Sequence, residues 1–136
     1  MTNSFLDLVK NDFKTSPFWE YIGLQMKELK EGHVELYLPF NPSFTNVRNS
    51  VHGGVYASVL DTAMGMAGRS LGFDEVMTIQ MNIQFLKPVI EGVIYSEATV
   101  VHQSRSTVLV EGKLFDEDKN LIAHSTGTFK VSKGAR

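Results

Sequence analysis

The sequence predicts an α+β domain in which an antiparallel β-sheet wraps around one long central helix. Residues 53–70 contain no proline and are rich in Ala, Leu and Met, which favours a single long helix. Strand-like stretches rich in Val, Ile, Thr and aromatic residues follow at intervals of about 11–14 residues, which is typical of an antiparallel sheet. Such a sheet has one face to cover, and the chain offers one long helix to cover it.

The length and composition indicate one domain that spans residues 1–136. Hydrophobic residues make up 43% of the 136 positions and charged residues 21%, which is enough for a packed core. The net charge of −2 gives no reason to expect a nucleic acid or an acidic membrane surface as a partner. The sequence has no cysteine, so disulfides, thiolate zinc sites and cysteine nucleophiles are excluded.

Neither a signal peptide nor a membrane span is expected. Asp7, Lys10 and Asp12 interrupt the apolar residues near the N-terminus, which is not typical of a signal peptide. Asp61 interrupts the best apolar stretch before it reaches the roughly 18 residues that a membrane span needs. Together with the lack of cysteine, these features predict a cytoplasmic location.

The first half of the chain is predicted to form a short helix, a hairpin and a loop. Apolar residues have helical spacing within residues 1–16, and Pro17 is expected to end this N-terminal helix. From residue 24 to residue 38 apolar and polar residues alternate, and Glu31-Gly32 supplies a turn, so a β-hairpin is predicted. Residues 39–50 are rich in Asn, Pro and Ser and are predicted to form a loop.

The second half is predicted to consist of the central helix, residues 53–70, and four strands. The helix contains many small residues, which permit close approach of another backbone, and it is apolar on nearly all sides. The strands are expected to follow one another as an antiparallel meander. Their predicted bounds are Met77–Leu86, Val93–Gln103, Thr107–Phe115 and Leu121–Val131.

The most informative feature is the junction between the loop and the central helix. The loop ends in His52-Gly53-Gly54, and the glycines leave the first N–H groups of the helix open to an anionic or carbonyl oxygen. Asp61 lies in the middle of the helix, and residues 55–68 contain no base to neutralise it. A polarising helix end together with a carboxylate is the outline of a hydrolytic site. Two structural interpretations stay open: Asp61 pairs with a distant Lys or Arg, and the glycines only allow tight packing.

This junction, with Asn46 six residues before His52 and a strand that begins at Met77, resembles the hotdog-fold thioesterases. The resemblance is greatest to the PaaI-like acyl-CoA thioesterases, relatives of 4-hydroxybenzoyl-CoA thioesterase, and it extends roughly from Phe18 to Val131. It implies the hotdog fold, in which a sheet surrounds one helix, and an enzyme that hydrolyses acyl-CoA thioesters. It also implies a dimer or tetramer with sites at the subunit interface.

The resemblance assigns four catalytic candidates. It implies that Asp61 is the general base or nucleophile toward the thioester and that the Gly53 N–H polarises the carbonyl. It places Asn46 where the family holds the water or the carbonyl, and Thr78 where close relatives have a serine that faces the acid. Turn formation explains Asn46 equally well, and β-strand propensity explains Thr78.

Candidates for substrate binding adjoin this site or lie farther along the chain. His52 and Gly54 flank Gly53, and His52 is also expected to brace the loop. Lys87, and Arg105 with Ser106, are candidates for binding the phosphates of coenzyme A. Coenzyme A enters as part of the substrate, so no separate cofactor is expected.

The histidines predict no metal site. His33 lies in the predicted hairpin, His102 and His124 lie on predicted strands, and no two histidines have the spacing of metal ligands. The sequence also lacks the motifs of serine hydrolases, NTPases and dinucleotide-binding proteins.

The length of the central helix predicts at least a homodimer, and the resemblance implies a homodimer or a homotetramer. Gly53 and Asp61 are eight residues apart, so their backbones lie about 12 Å apart along the helix. A base and an oxyanion donor must both lie within a few ångströms of one carbonyl, and one helix cannot place both there. Two helices from two subunits can, which gives a dimer two composite sites.

The leading hypothesis is therefore hydrolysis of an acyl-CoA or acyl-carrier thioester. A non-catalytic acyl-thioester binding module is the main alternative, and the lone acid Asp61 argues against it. A hotdog dehydratase is a further alternative, but its Asp-x-Asn-Pro-x-His and His-Phe-Pro signatures are missing. Five apolar residues are candidates for lining a pocket for an aryl or medium-chain acyl group, although core packing explains them equally well. They are Phe44, Tyr56, Met64, Met66 and Phe85.

Overall fold

The computed structural model describes residues 3–134 as an antiparallel sheet with a long helix on one face. The helices are α1 (Asn3–Lys14), α2 (Pro17–Ile22) and α3 (Gly53–Arg69). The strands are β1 (Gln25–Lys30), β2 (His33–Leu38), β3 (Glu75–Phe85), β4 (Ile94–Gln103), β5 (Thr107–Phe115) and β6 (Leu121–Ser132). The first two residues of the predicted N-terminal helix lie outside the described range. The predicted fold class is confirmed.

The sheet has the strand order β1-β2-β4-β5-β6-β3, and every neighbouring pair is antiparallel. The predicted meander is correct for β4, β5 and β6 but wrong for β3, which pairs with β6 instead of β4. Because α3 packs against β2 through β6, it crosses the sheet between the hairpin and β3. The chain therefore leaves α3 near the sheet edge that is farthest from β1, and β3 joins the sheet at that edge.

Pro17 has a different role from the one predicted. It ends the first helix, but it also begins α2, at a position where its missing N–H would have no helical partner. Gly23, with φ of 84°, then ends α2 in the left-handed conformation. Trp19 and Ile22 are buried, so this short helix covers part of the core that sequence analysis left without an assigned element.

Close packing between α3 and the sheet explains the small residues that face each other. A Cβ atom at Gly112 would lie 2.7 Å from Met64 Sδ, and one at Gly127 would lie 2.7 Å from Met64 Cε. At Gly68 it would lie 3.0 Å from Val108 Cγ2. Larger side chains at these positions would therefore push the helix off the sheet.

Burial around α3 is one-sided. The residues that face the sheet are buried, whereas a stripe with Gly54, Ala57, Ser58, Asp61 and Thr62 is partly or fully exposed. Within one chain, α3 is covered on the side that faces the sheet and exposed along this stripe. The prediction that it is enclosed on most sides is therefore only partly correct. Among the helices of residues 3–134, none is long and apolar enough to cross a membrane.

Candidate active site

Asp61 and Thr78 form the centre of the site. The Thr78 hydroxyl donates a hydrogen bond of 2.6 Å to Asp61 Oδ1, which joins the middle of α3 to the beginning of β3. This bond fixes the carboxylate and occupies one of its two oxygens. A shift of register between Thr78 and Gln80, where β3 pairs with β6, lies beside this contact. The structure therefore brings together two of the four catalytic candidates.

No cation neutralises Asp61 within the described part of the chain. The nearest base in sequence, Arg69, is buried and directs its Nη2 to Asp12 at 2.6 Å and its Nε to the Phe73 carbonyl at 2.7 Å. The structural interpretation of Asp61 as a salt-bridge partner is therefore not supported. Asp61 is partly exposed and belongs to the exposed stripe of α3.

The start of α3 offers one open donor. The His52 Nδ1 atom accepts the Gly54 N–H at 2.7 Å, and the His52 N–H binds the Phe44 carbonyl at 2.8 Å. His52 thus braces the loop, as predicted, and it occupies the Gly54 N–H. Within residues 3–134 the Gly53 N–H has no hydrogen-bond partner, so it is free to bind a carbonyl oxygen.

Gly53 is also closely packed against β3. A Cβ atom at this position would lie 3.2 Å from Phe85 Cε1 at the end of β3. The Phe85 ring in turn stacks on Tyr56, with a centroid distance of 6.1 Å. The packing interpretation of this glycine and the functional one are therefore compatible.

Asn46 lies in the loop that positions His52. Its Oδ1 atom accepts the Arg48 N–H at 2.9 Å and both the N–H and the hydroxyl of Ser50 at 3.3 Å. Asn49 follows with φ of 62°, a left-handed conformation that is typical of Asn in a turn. The side-chain oxygen of Asn46 therefore stabilises the turn. The side-chain nitrogen, Nδ2, is the atom that remains for a catalytic role.

A cleft on the β3 side of the helix start is lined by the aromatic pair. The Tyr56 hydroxyl donates to the Lys87 carbonyl at 2.9 Å, and burial raises the pKa of Tyr56 to about 12. Tyr56 is therefore a neutral hydrogen-bond donor and not an acid–base group at neutral pH. The cleft has a volume of about 310 Å³, and its lining residues are Val51, Gly53, Tyr56, Phe85, Leu86, Lys87 and Pro88.

A second groove, of about 510 Å³, lies on the α2 side of the helix start. His52, Gly54, Val55 and Ser58 line it from α3 and its cap, and Phe18, Tyr21 and Ile22 line it from α2. Sequence analysis missed the α2 residues because it did not predict α2. Pro17 after a serine, followed by an apolar run and Gly23, was the available signal.

The candidates for binding phosphate groups do not converge within one chain. The Lys87 ammonium lies 3.5 Å from Asp116, a carboxyl whose pKa is lowered chiefly by its hydrogen bond from Asn120. Arg105 and Ser106 are exposed in the turn before β5, whereas Asp116 follows β5. The nine residues of β5 span about 30 Å, so Lys87 and Arg105 cannot bind one phosphate group in the same chain.

The fold defines a structural class. An antiparallel sheet packed around one long central helix is the hotdog arrangement. The structure is similar to that of the PaaI protein of Escherichia coli from the phenylacetic acid degradation operon, with a TM-score of 0.87. That match covers 93% of this chain and 91% of the other at 22% identity, so it shows the fold.

Sequence comparison gives the family. A model of the thioesterase superfamily matches residues 48–123, and the chain belongs to that superfamily. A protein of Saccharolobus solfataricus that carries an esterase name is 33% identical over 121 residues, covering 87% of this chain and 79% of the relative. The predicted PaaI-like thioesterase resemblance and the predicted class of activity, thioester hydrolysis, are confirmed.

One structural relative carries a ligand. The smu.793 protein of Streptococcus mutans, solved with bound acetyl CoA, has a TM-score of 0.78 and 25% identity. The match covers 83% of this chain and 91% of the other.

Proposed function

We propose that the protein hydrolyses the thioester of an aryl- or medium-chain acyl-CoA at a site shared by two subunits. The observation that carries the proposal is the Asp61–Thr78 pair. Asp61 is a hydrogen-bonded carboxylate with no cation partner among residues 3–134, and it lies on the same helix as the open Gly53 N–H. The acetyl CoA bound to the Streptococcus mutans relative supports acyl-CoA as the substrate class. The aromatic lining of the cleft at Phe85 and Tyr56 supports an aryl or medium-chain acyl group.

Asp61 is suited to activate water. Thr78 binds Oδ1, which leaves Oδ2 to accept a proton while the water oxygen attacks the thioester carbon. The carbonyl oxygen becomes an oxyanion opposite the Gly53 N–H of the second subunit, where the helix dipole adds stabilisation. Collapse of the intermediate breaks the C–S bond, and Asp61 returns the proton to the sulfur of coenzyme A. Direct attack by Asp61, with an anhydride that water then hydrolyses, is the alternative sequence of steps.

A second subunit is supported by the open edge of β3. The outer edge of this strand has no sheet partner among the described strands, and Met77, Ile79 and Phe85 expose more than half of their surface. Unpaired edges with apolar side chains favour pairing with another chain. A homodimer through β3 uses this edge, and the association of two dimers into a tetramer is left open.

The register of such a pairing follows from the contacts of β3 with its own helix. Thr78 is hydrogen-bonded to Asp61, and the Phe85 ring lies beside Gly53. An antiparallel β3–β3 pairing with its two-fold axis between Met81 and Asn82 sets Thr78 opposite Phe85 of the second copy. It thereby brings Asp61 toward the Gly53 N–H of the other subunit and completes the site.

The decisive variant is Asp61→Asn, which keeps the size of the side chain but cannot accept the proton. We expect kcat to fall by about 10² to 10⁴ with little change in KM, measured as thiol release from a panel of acyl-CoAs. The control is Asp118→Asn, an exposed carboxylate in the turn after β5, which we expect to leave the rate unchanged. Full activity in Asp61→Asn would overturn the catalytic assignment of Asp61. Binding of acyl-CoA by the wild type without any thiol release would favour the non-catalytic binding module.

The shared site is tested by mixing two inactive variants. Gly53→Pro removes the N–H, and Asp61→Asn removes the base, so each homodimer should be inactive. A mixed dimer keeps one site with both groups, and we expect up to half of the wild-type rate per dimer. If co-refolding of the two mixed variants restores no activity, the shared site is wrong.

Asn46 is tested by two replacements. Asn46→Ala is expected to lower turnover by about ten- to a thousandfold, because a positioned polar group is worth a few kcal/mol. Asn46→Asp keeps the oxygen that binds Arg48 and Ser50 but removes the amide nitrogen. If Asp restores full activity, Asn46 acts only in the turn.

The cytoplasmic location and the single domain over residues 1–136 stay predictions.

A further inference from the structure

The outer face of the β1–β2 hairpin assembles a histidine and two carboxylates that the proposed reaction does not use. Glu28 lies on β1, and His33 and Glu35 lie on β2. One potential ligand atom from each lies within 4.8 Å of the others, and all three side chains are partly buried. The His33 Nε2 atom is 2.8 Å from Glu35 Oε2.

Strand pairing places three carboxylates in one row. Glu28 is directly opposite Glu35 on the neighbouring strand, and Glu35 is directly opposite Glu97 on the next. A shift of register between Met26 and Glu28 creates the first of these pairings. Like charges directly opposite each other in a sheet are destabilising, so this row favours the binding of a cation.

His33 is held in an orientation that suits a metal ligand. Its Nδ1 atom is 2.9 Å from the Thr99 hydroxyl on β4, which leaves Nε2 directed at the carboxylates. Histidines that bind metals typically have the other ring nitrogen fixed by such a contact. The ligand set is therefore one imidazole nitrogen and two carboxylate oxygens with an orienting partner.

The cations already present are weak competitors. Lys30 lies 3.0 Å from Glu28, and Lys27 lies 3.8 Å from Glu35. Both lysine side chains are mostly exposed, at 66% and 58%. Exposed ion pairs contribute little to stability, so a divalent ion can displace them at small cost.

We propose that Glu28, His33 and Glu35 form a binding site for a divalent transition-metal ion such as Zn²⁺. Mixed imidazole and carboxylate ligands suit Zn²⁺, Co²⁺ and Ni²⁺ better than Mg²⁺ or Ca²⁺, which prefer oxygen ligands alone. Three protein ligands leave at least one position for water or another group. The bound ion links the edge strand β1 to β2. Thr99 on β4 contacts the His33 ring, so β4 also supports the site.

The test is titration of the full chain, without a purification tag and freed of metal by chelation, with ZnCl₂ at pH 7 by calorimetry. Co²⁺ titration followed by visible absorption reports the coordination geometry, and loss of the bands in His33→Ala identifies the imidazole as a ligand. We expect one Zn²⁺ per chain, a rise of a few degrees in the unfolding midpoint, and loss of at least tenfold in affinity in His33→Ala and in Glu28→Gln.

Two further variants make the result specific. His124 forms a pair with Glu111 on the same face with the same distance of 2.8 Å, but no third ligand joins it among the described residues. We therefore expect His124→Ala to keep the zinc affinity, whereas Lys30→Met should bind several-fold more tightly because a competitor is removed. No zinc binding by the wild-type chain at millimolar ion overturns the proposal. So does equal affinity in the wild type, His33→Ala and Glu28→Gln.

Discussion

The two edge strands of the sheet, β1 and β3, differ in length and in chemistry. The β1 strand has six residues and carries Lys27, Glu28 and Lys30 beside a shift of register, features that discourage pairing with another chain. The β3 strand has eleven residues and exposes Met77 and Ile79. One sheet thus has a protected edge and an edge open to association, and the proposed catalytic groups lie along the open one.

The difference between the two edges is tested most directly by placing a charge on the open edge, β3. We expect Ile79→Lys to convert the proposed dimer into a monomer of 15.2 kDa and to lower kcat by about 10² or more, because each proposed site would lose the other subunit's contribution. Sedimentation velocity and thiol release measure the two effects on the same sample.

The matched control is Gln25→Lys on β1, which adds the same charge to the other edge. We expect neither mass nor rate to change. A fully active Ile79→Lys monomer contradicts the shared site, and dissociation by Gln25→Lys contradicts the assignment of the interface to β3.

A smaller effect is expected at the end of β3, where Phe85 meets the start of α3. Gly53→Ala keeps the N–H but places a Cβ atom 3.2 Å from Phe85 Cε1. The Phe85 ring is about half exposed and can shift, so we expect little change in the unfolding midpoint. The displaced helix end should lower kcat by about tenfold, because small displacements of catalytic groups are costly. Recovery of the rate in Gly53→Ala/Phe85→Leu supports the steric explanation, and an unchanged rate in Gly53→Ala alone contradicts it.

The smallest effect is expected at the protected edge and depends on pH. The hydrogen bond from Lys30 is the largest cause of the lowered pKa of Glu28. Because the folded pKa lies below the unfolded value, this contribution to stability is present above the unfolded pKa and is lost as the pH falls through the folded one. Lys30→Met should therefore flatten the acid limb of the stability curve slightly, measured by urea unfolding between about pH 3 and pH 6. An identical acid limb in the variant shows that the exposed pair contributes nothing.

Much of the site could be predicted from the sequence because its signals are local. The helix start at His52-Gly53-Gly54, the long α3 and the isolated Asp61 all follow from adjacent residues. The predicted bracing role of His52 is confirmed by its bond to the Gly54 N–H. By contrast, Lys87 and Arg105 are candidates by residue type alone, and the length of β5 that separates them is known only from the structure.

Sequence alone determined which segments become helices and strands, apart from α2, because periodicity, turn residues and helix formers act over a few positions. It also indicated the class of chemistry, through the family resemblance that the His52-Gly53-Gly54 junction and Asp61 carry. The tertiary structure decided that β3 pairs with β6, that Thr78 meets Asp61 and that Glu28 lies opposite Glu35. These contacts join residues whose separation along the chain has no fixed period. They depend on where the long helix delivers the chain and on the register of the strands, which only the packed fold fixes.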